Sequence, residues 1–585
     1  MAMDLLPTFL QVCLILVLSQ SPSYLLSTFP TSFALVNPIL PGWNPDPTIL
    51  RVGSDYFIAT STFEYFPGHP IYHSTNLVDW ELIGHALNRP EQLSLFGTPS
   101  DAGAWAPTLR YHNGTFYLMS TVRYVYTYEL RQFPRSFFVT TKDIFSNDWS
   151  DPIYFDALGY DADLFWDTNG DVYNTWSGIN NAIDKIYGIY QNKIDISTGN
   201  SLTPAELIFT GTLPDNSSAR PEGPHIYLIN STYYLLIAEG GSGPEHRSTI
   251  QRGPTPSGPW ENNPANPILF NGANLSLPVQ YTGHADIVQA PDGAWWGVAL
   301  GVRPQTVGDF NHIQLGRETF LFPVTFDTEG WPVFNHGLPL STEIPGVLTD
   351  KSNLSVFHDT FDSKTLQDSY YFLRTPYKPF HSLTARPSFL RLFANSYAPG
   401  DRDNPAMILR KQTSYEETFE TVLDSFLPES NLTEAGMTVF YGDFAHNDIG
   451  VVGTGSEDGG GGRVVVTRTL RPAEQVGPWA LTTTNSTVTT VTYTPLSTKS
   501  GPVKLVIVGN STSYSLGFAE GSSDDPDTDS FGKITYTATF DSVFLSVMPV
   551  NDFFFKGASF GVYNTGNGRP SLSPADFRYW KQMPR

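Results

Sequence analysis

Five residues of this chain that could carry out chemistry occupy equivalent places in a repeat. Each lies nine or ten residues before an aromatic strand, and the five are Asp46, Trp105, Asp161, Glu222 and His284. Two carboxyl groups in different environments can hold opposite protonation states, so that one protonates a leaving oxygen while the other activates water. A third carboxylate near the acid raises its pKa by like-charge repulsion. The set predicts hydrolysis of a glycosidic bond, with the indole as an apolar face for a sugar ring.

Each of these residues, taken alone, also has an ordinary structural interpretation. Asp46 follows Pro45 and could cap a turn. Asp161 could belong to a solvated acidic loop, and Glu222 could pair with nearby Arg220. His284 could be a hydrogen-bonded histidine of the core. The shared register of all five, and no single residue, favours the catalytic interpretation.

The repeat itself predicts the elements that hold these residues. The aromatic strands begin 60, 56, 61 and 62 residues apart, at Asp55, Thr115, Asp171, Thr232 and Ala294. Several follow a hairpin signal such as Asn113-Gly114. Five repeats of short strands predict an all-β, five-bladed β-propeller, whereas the alternative, an irregular β-sandwich, needs no such period. The innermost strands would then bring the five residues to the propeller axis.

The C-terminal half shows a different pattern. Alternating strands such as residues 464–469 and 504–508 are separated by Gly- and Ser-rich turns, which predicts a concanavalin-like β-sandwich. The expected division of the whole chain is a signal peptide over residues 1–34, the propeller over 35–340, a linker over 341–356 and the sandwich over 357–585.

Composition restricts the partners of the protein. The 585 residues carry a net charge of −23, and Gly (49) and Pro (46) are abundant. Nucleic acids and anionic membranes need basic patches, so the acidity argues against both as partners. A neutral polysaccharide or oligosaccharide carries no such penalty. The oligomeric state does not follow from the sequence.

The N-terminus and the sequons predict a secreted glycoprotein. An apolar run around Cys13, the single cysteine, is too short to span a bilayer and resembles a signal-peptide core. Asn-X-Ser/Thr sequons occur at Asn113, Asn216, Asn230, Asn274, Asn353, Asn431, Asn485 and Asn510.

Seven segments resemble glycoside hydrolase family 43. They follow the family order through residues 37–47, 59–68, 104–107, 160–165, 221–225, 283–286 and 315–319. The resemblance implies an inverting mechanism in which Asp46 is the general base, Glu222 the general acid, and Asp161 tunes and orients the acid. The family usually has Ser two residues after the modulating Asp, where this chain has Asp163. Asp161 is preferred because it shares the ten-residue register.

The resemblance also implies the walls of a terminal-sugar pocket. Matching positions are Phe63, Trp105 and Arg317, and a sandwich loop could add a Phe from residues 553–555. His284 matches a histidine that lies beside a structural calcium ion in many relatives. The chemistry itself requires no cofactor.

Three functions remain open at this stage. The first is an exo-acting β-xylosidase that releases xylose from non-reducing ends of xylan and xylo-oligosaccharides, and the segment 63–66 resembles this group. The second is an α-L-arabinofuranosidase that removes side chains from arabinoxylan, a group that Tyr160 resembles more closely. The third is a propeller that binds glycans without cleaving them, which predicts loss of a catalytic carboxylate. All three carboxylates are present.

Overall fold

The computed structural model of the protein is built almost entirely from β-strands. It describes residues 35–125, 133–178, 187–214, 219–307, 310–344, 354–455, 462–472, 487–521, 531–545 and 555–585. The expected signal segment with Cys13, residues 553–554, and the sequons at Asn216, Asn353 and Asn485 lie outside these ranges. Within these ranges, none of the helices has the length and hydropathy needed to cross a bilayer.

Five four-stranded antiparallel sheets form the N-terminal domain, which confirms the predicted five-bladed propeller. Blade 1 contains Thr48–Val52, Asp55–Ala59, Gly68–Ser74 and Glu81–Leu87. Blade 2 contains Gly103–His112, Thr115–Arg123, Arg135–Thr141 and Ile153–Phe155. Blade 3 contains Gly159–Trp166, Val172–Gly178, Gly188–Lys193 and Glu206–Phe209. Blade 4 contains Glu222–Ile229, Thr232–Glu239, Arg247–Gly253 and Glu261–Asn262, and blade 5 contains Gln280–Gln289, Trp295–Val302, Glu318–Phe326 and Pro332–Phe334.

Short elements lie around the ends of blade 5. Gln305–Val307 pairs with Phe310–His312, and a 3-10 turn spans Asn335–Gly337. Leu35–Val36 pairs with Glu343–Ile344, which falls inside the segment expected to be a linker. The expected linker therefore contains a strand near its start, and this strand pairs with the first strand of the N-terminal domain.

Local sequence accounts for the blades. The second strand of each repeat is rich in aromatic and β-branched residues, which suit a pleated sheet packed on both faces. In blade 4 the run from Tyr234 to Glu239 is buried throughout. The hairpin turn at Asn113 and Gly114 has positive φ values of 48° and 76°, as a tight primed turn requires.

A β-bulge interrupts the innermost strand of four blades near its leading end. The register shifts lie between Trp105 and Thr108, Tyr160 and Asp163, Glu222 and His225, and Gly283 and Asp286. Such bulges re-aim side chains and are common beside active sites. The backbone is left-handed at Asp46, Asp161 and His284, with φ between 50° and 56°. The equivalent sequence positions therefore share an unusual local geometry.

The C-terminal domain is the predicted β-sandwich of two antiparallel sheets. One sheet contains Phe357–Asp359, His381–Ser382, Leu390–Phe393, Glu417–Asp424, Val503–Gly509, Ser513–Glu520, Thr535–Asp541, Pro574–Phe577 and Trp580–Pro584. The other contains Tyr371–Leu373, Met407–Lys411, Glu434–Gly442, Ala445–Gly453, Arg463–Pro472, Thr487–Pro495 and Ser559–Thr565, and a 3-10 turn spans Ser542–Leu545. A strand from the propeller, Tyr65–Phe66, extends this second sheet by pairing with Phe372 and Leu373. The two domains therefore share a sheet.

Candidate active site

A small pocket lies at the leading ends of the innermost strands and contains every residue predicted for the site. Its lining is Asp46, Phe63, Trp105, Ala106, Tyr160, Asp161, Glu222, Ser242, His284, Arg317 and Phe555. Asp163, the alternative to Asp161, instead forms an ion pair with Arg110 at 2.9 Å. The structure thus separates two aspartates that lie two positions apart in the sequence.

Asp46 is buried and held by two donors. Ser61 Oγ donates to its Oδ2 at 2.6 Å, and Arg317 Nη1 donates to its Oδ1 at 2.9 Å. Burial alone would raise the pKa of Asp46, but Arg317, His284 and the Ser61 hydrogen bond outweigh it, and the pKa lies below its ordinary value. Asp46 is therefore ionised at neutral pH.

The pKa values of Glu222 and Asp161 are raised, in contrast to that of Asp46. Burial and the charge of Asp46 raise the pKa of Glu222 to about 7. Burial and the neighbouring Glu222 raise the pKa of Asp161 well above its usual range. The Asp161 Oδ2 accepts a hydrogen bond from the backbone N–H of Gly223 at 3.1 Å, which ties it to the residue after Glu222. Below about pH 7 the pocket therefore holds one ionised carboxylate, Asp46, beside two carboxyl groups that keep their protons.

Two neutral histidines flank these carboxyl groups. His284 Nδ1 lies 3.9 Å from Asp46 Oδ1, and burial lowers the pKa of His284 to about 4. His246 Nδ1 lies 4.0 Å from Glu222 Oε1, and burial lowers its pKa to about 3. His246 and Ser61 were not predicted from the sequence. His246 lies outside the ten-residue register, and Ser61 lies within the family-like segment 59–68 without a signal of its own.

Aromatic rings form the walls of the pocket. The Phe555 ring stacks on Phe63 with 6.0 Å between centroids and meets Trp105 edge-on at 5.7 Å. Trp105 also meets Tyr160 edge-on at 5.3 Å, and the Arg123 guanidinium lies 4.8 Å from the Trp105 ring centre. Phe555 belongs to the sandwich, so the pocket is built from both domains. Of the three candidate phenylalanines, the structure places this one in the wall.

The segment that carries Phe555 is fixed to the propeller. Arg317 Nε donates to the Phe555 carbonyl at 2.9 Å. The next residue, Lys556, is fully buried and pairs with Glu64 at 2.8 Å and Asp101 at 3.0 Å. Burial lowers the pKa of Lys556, but the two carboxylates outweigh this effect and raise it. Lys556 therefore anchors the pocket wall through buried charge.

Replacing Lys556 by Met should destabilise the protein by about 3 kcal/mol, because two buried carboxylates lose their cation. Urea unfolding measures this change. The matched control is Lys504→Met, since Lys504 pairs with Glu420 at 3.0 Å in a partly exposed position of the sandwich. Its effect should stay below about 1 kcal/mol. Equal effects of the two substitutions would contradict the anchoring role.

Two family profiles match this chain. The profile of "Glycosyl hydrolases family 43" matches residues 35–332, and that of "Beta xylosidase C-terminal Concanavalin A-like domain" matches residues 358–582. The chain belongs to glycoside hydrolase family 43. It is thus an enzyme that hydrolyses glycosidic bonds, and family 43 chemistry needs no cofactor.

Relatives and solved structures of family 43 cover between 70% and 94% of the chain. A non-reducing-end α-L-arabinofuranosidase of Bacteroides ovatus is 36% identical over 93% of this chain and 94% of its own length. A β-xylosidase of Bacillus subtilis is 36% identical over 70% of this chain and 77% of its own. The crystal structure of a xylan β-1,4-xylosidase from Bacillus halodurans has a TM-score of 0.82, with 29% identity over 94% of this chain and 100% of that one.

A second polar layer lies further along the innermost strands of this family 43 propeller. At its centre is the Arg110 guanidinium, which contacts Asp163 at 2.9 Å, Asp286 at 3.2 Å and His225 Nδ1 at 2.9 Å. Tyr227 and Thr48 donate hydrogen bonds to the same Asp286 carboxylate. One guanidinium therefore contacts both carboxylates of this layer, and neither Asp46 nor Glu222 takes part.

Proposed function

We propose that the protein is an exo-acting, inverting glycosidase that releases xylose from the non-reducing ends of xylan and xylo-oligosaccharides. Asp46 is the general base, Glu222 the general acid, and Asp161 the residue that tunes and orients the acid. One observation carries the proposal: a single small pocket holds an ionised Asp46 and a Glu222 whose pKa is raised to about 7. This is the pair of opposite protonation states that glycoside hydrolysis needs.

The reaction follows from these states. Asp46 takes a proton from a water molecule as the water oxygen bonds to the anomeric carbon. The bond from that carbon to the leaving oxygen breaks, and the proton of Glu222 moves to this oxygen. Asp46 ends protonated and Glu222 ionised, and exchange with solvent restores both. Arg317 and Ser61 keep the base oriented through their hydrogen bonds.

The walls of the pocket support action at a chain end. Phe63, Trp105 and Phe555 enclose one side of it, and Phe555 arrives from the second domain. Aromatic faces pack against the apolar faces of a sugar ring while the polar groups orient its hydroxyls. A small pocket with an aromatic wall on one side suits one terminal pentose better than the middle of a polysaccharide.

The second candidate function is release of α-L-arabinofuranose from arabinoxylan. It is favoured by Tyr160, which lines the pocket next to Glu222, and by the Bacteroides ovatus relative. Incubation with xylo-oligosaccharides and with arabinoxylan, followed by product analysis, decides between the two. We expect xylose from chain ends. Arabinose alone would move the function to side-chain removal, and no released sugar would leave a glycan-binding propeller.

The pH dependence should follow the two pKa shifts. Because the pKa of Glu222 is about 7, the acid holds its proton below that pH and loses it above. Because the pKa of Asp46 is lowered, the base stays ionised to a lower pH than an ordinary aspartate would. We expect kcat/KM for xylobiose to form a plateau between these limits and to decline above about pH 7. A plateau that continues to pH 9 would contradict the assignment of Glu222.

The calcium ion implied by the resemblance does not fit the axial residues of this chain. Calcium prefers several oxygen ligands. The carboxylates nearest the axis beyond the pocket, Asp163 and Asp286, already bind the guanidinium of Arg110, which a calcium ion would have to displace. His284 offers one imidazole beside Asp46, whose oxygens bind Ser61 and Arg317. Arg110 supplies the positive charge at this place.

Metal removal should therefore leave the protein unchanged. We expect dialysis against EDTA, followed by added calcium, to alter neither the midpoint of thermal unfolding nor kcat for xylobiose. The reason is that Arg110 already contacts the Asp163 and Asp286 carboxylates that an ion would have to bind. A lower midpoint after EDTA that calcium restores would show that an ion contributes to stability.

Secretion and glycosylation are also part of the proposal. The sequons at Asn113, Asn230, Asn274 and Asn431 are exposed, whereas the Asn510 amide is half-buried and donates to Ser513 Oγ at 2.8 Å. The exposed sites suit an attached glycan. Mass spectrometry of protein secreted by a eukaryotic host, before and after enzymatic removal of glycans, tests this assignment, and an unchanged mass would contradict it.

A further inference from the structure

A second cavity, much larger than the pocket at the axis, lies between the propeller and the sandwich. It encloses about 360 Å³. Its lining includes one amide, three aromatic residues and two basic residues, which are Asn44, Tyr72, Trp80, Tyr371, Arg410 and Lys411. None of the three carboxyl groups assigned to the reaction lines it. The proposed reaction at the axis therefore does not involve this cavity.

The basic residues of this cavity contact neutral groups. Lys411 Nζ donates to Asn44 Oδ1 at 2.8 Å and lies 4.2 Å from the centre of the Trp43 ring. Arg410 donates to Gln582 Oε1 at 2.9 Å and to Ser369 Oγ at 3.3 Å. Among the described residues, no carboxylate lies within ion-pair distance of either.

This lack of a counter-charge distinguishes the two residues from the other buried cations described above. Lys556 and Arg110 each contact two carboxylates. Burial lowers the pKa of Lys411 well below its ordinary value, and no neighbouring charge opposes this effect. Glu417 acts on Arg410 from beyond ion-pair distance, and burial still lowers the pKa of Arg410. A buried cation is costly unless it is paired, so a ligand with a negative charge would relieve this cost.

The cavity also has features suited to a sugar ring. The Trp80 indole is half-buried and fixed by its Nε1–H, which donates to the Leu77 carbonyl at 2.9 Å. The Tyr72 hydroxyl donates to Asn44 Oδ1 at 2.8 Å, the same oxygen that accepts from Lys411. A lysine ammonium has three N–H groups, so Lys411 has two further donors besides this bond. An aromatic face beside polar donors is a usual arrangement in small-ligand sites.

We propose that this cavity binds a uronic acid unit of a carbohydrate, with the carboxylate beside Lys411 and the ring against Trp80. Arg410 adds positive charge from the neighbouring position of the same strand, Met407–Lys411. The carboxylate lining the cavity, Asp79, is exposed and accepts a hydrogen bond from Asn76 at 2.9 Å. A neutral sugar would leave the cations uncompensated, and a small inorganic anion would leave the aromatic wall unused.

The position of the cavity suits a site for a decorated substrate. Asn44, which binds Lys411, lies two residues before the base Asp46, and its backbone N–H donates to the Arg317 carbonyl at 2.9 Å. The choice of a uronic acid rests on the proposed function, since xylan chains carry acidic branches. The binding of an organic anion does not rest on it, because that part of the proposal follows from the basic lining of the cavity.

Calorimetric titration of the purified full-length protein tests the proposal without any need for turnover. The probes are D-glucuronate, D-glucose and acetate, at low ionic strength. We expect D-glucuronate to bind at least about tenfold more tightly than either of the others, since each lacks half of the ligand. Glu222→Gln should leave this affinity unchanged, which separates the cavity from the pocket at the axis.

Substitutions locate the site. Lys411→Met keeps the length of the side chain over Trp43 but removes the charge, and we expect binding of D-glucuronate to weaken about tenfold, the equivalent of about 1.4 kcal/mol. Ser369→Glu replaces a hydroxyl that accepts a hydrogen bond from Arg410 by a carboxylate, which should compete with the ligand for Arg410 and weaken binding as well. The matched control is Lys193→Met, since Lys193 pairs with Asp171 on blade 3. Circular dichroism establishes that each variant is folded.

Three results would overturn the proposal. Equal affinities for D-glucuronate and D-glucose would show that Lys411 and Arg410 do not bind the carboxylate. Equal affinities for D-glucuronate and acetate would leave an anion site without a sugar. Unchanged affinity in both Lys411→Met and Ser369→Glu would place the ligand elsewhere. If the proposed glycosidase activity failed but D-glucuronate bound as expected, the cavity would still be a site for an acidic sugar.

Discussion

Glu222→Gln should reduce kcat for xylobiose by about a thousandfold or more, because the variant has no proton to give to the leaving oxygen. The same variant should lose less than about tenfold on an aryl xyloside with a strongly acidic phenol, since that leaving group departs without protonation. Steady-state kinetics on the two substrates measure the contrast. The fold should persist, because glutamine occupies nearly the same volume as glutamate and the side chain makes no ion pair closer than 4.0 Å.

Two further observations make the assignment of Glu222 testable. The decline in kcat/KM above about pH 7 should disappear in Glu222→Gln, since the group whose pKa lies there is gone. Glu261→Gln is the matched control, because Glu261 lies on the outermost strand of the same blade and pairs with Arg252 on the surface. It should keep full activity on both substrates. Near-normal turnover of xylobiose by Glu222→Gln would show that another group is the acid.

Asp46→Asn should reduce kcat by about a thousandfold to ten-thousandfold on every substrate, whatever its leaving group. The amide cannot take a proton from the attacking water, and the quality of the leaving group does not replace that step. Aryl xylosides and xylobiose should therefore lose activity in parallel. This parallel loss separates a base from an acid, and kinetics on both substrates measure it.

The charge of Asp46 has a second measurable effect. Because Asp46 raises the pKa of Glu222, the residual activity of Asp46→Asn should decline at a lower pH than that of the wild type. Asp55→Asn serves as the control, since Asp55 lies in the same blade and pairs with His73 at a partly exposed site. Thermal unfolding detects any cost of leaving the Arg317 guanidinium without its carboxylate. A selective loss on xylobiose alone would contradict the role of base.

The sequence predicted the architecture because the fold repeats. Few folds other than a β-propeller accommodate short apolar strands that recur every sixty residues. In a propeller, equivalent positions of the blades lie around one axis. That rule by itself brings Asp46, Trp105, Asp161, Glu222 and His284 together, and all five line the pocket. The family resemblance added Phe63 and Arg317, which also line the pocket. Local pattern plus symmetry was sufficient for the five axial residues.

Electrostatic states could not be predicted in the same way, since they depend on burial and on neighbours. The sequence contains three acidic residues in equivalent positions, and only the structure shows that Arg317 and Ser61 hold Asp46 ionised. Asp161 and Asp163 lie two positions apart, yet one faces the pocket and the other binds Arg110. A β-bulge between Tyr160 and Asp163 gives them different surroundings.

The sequence alone determined the five-bladed propeller, the sandwich and the carboxylates at the axis, because each follows from residue patterns that recur along the chain. Only the tertiary structure decided that Phe555 lines the pocket and that Lys556 anchors this wall, since they contact Arg317, Glu64 and Asp101 across hundreds of residues. The cavity around Lys411 likewise exists only where the two domains meet. Contacts between domains depend on how two finished surfaces fit, and no local pattern of residues encodes that fit.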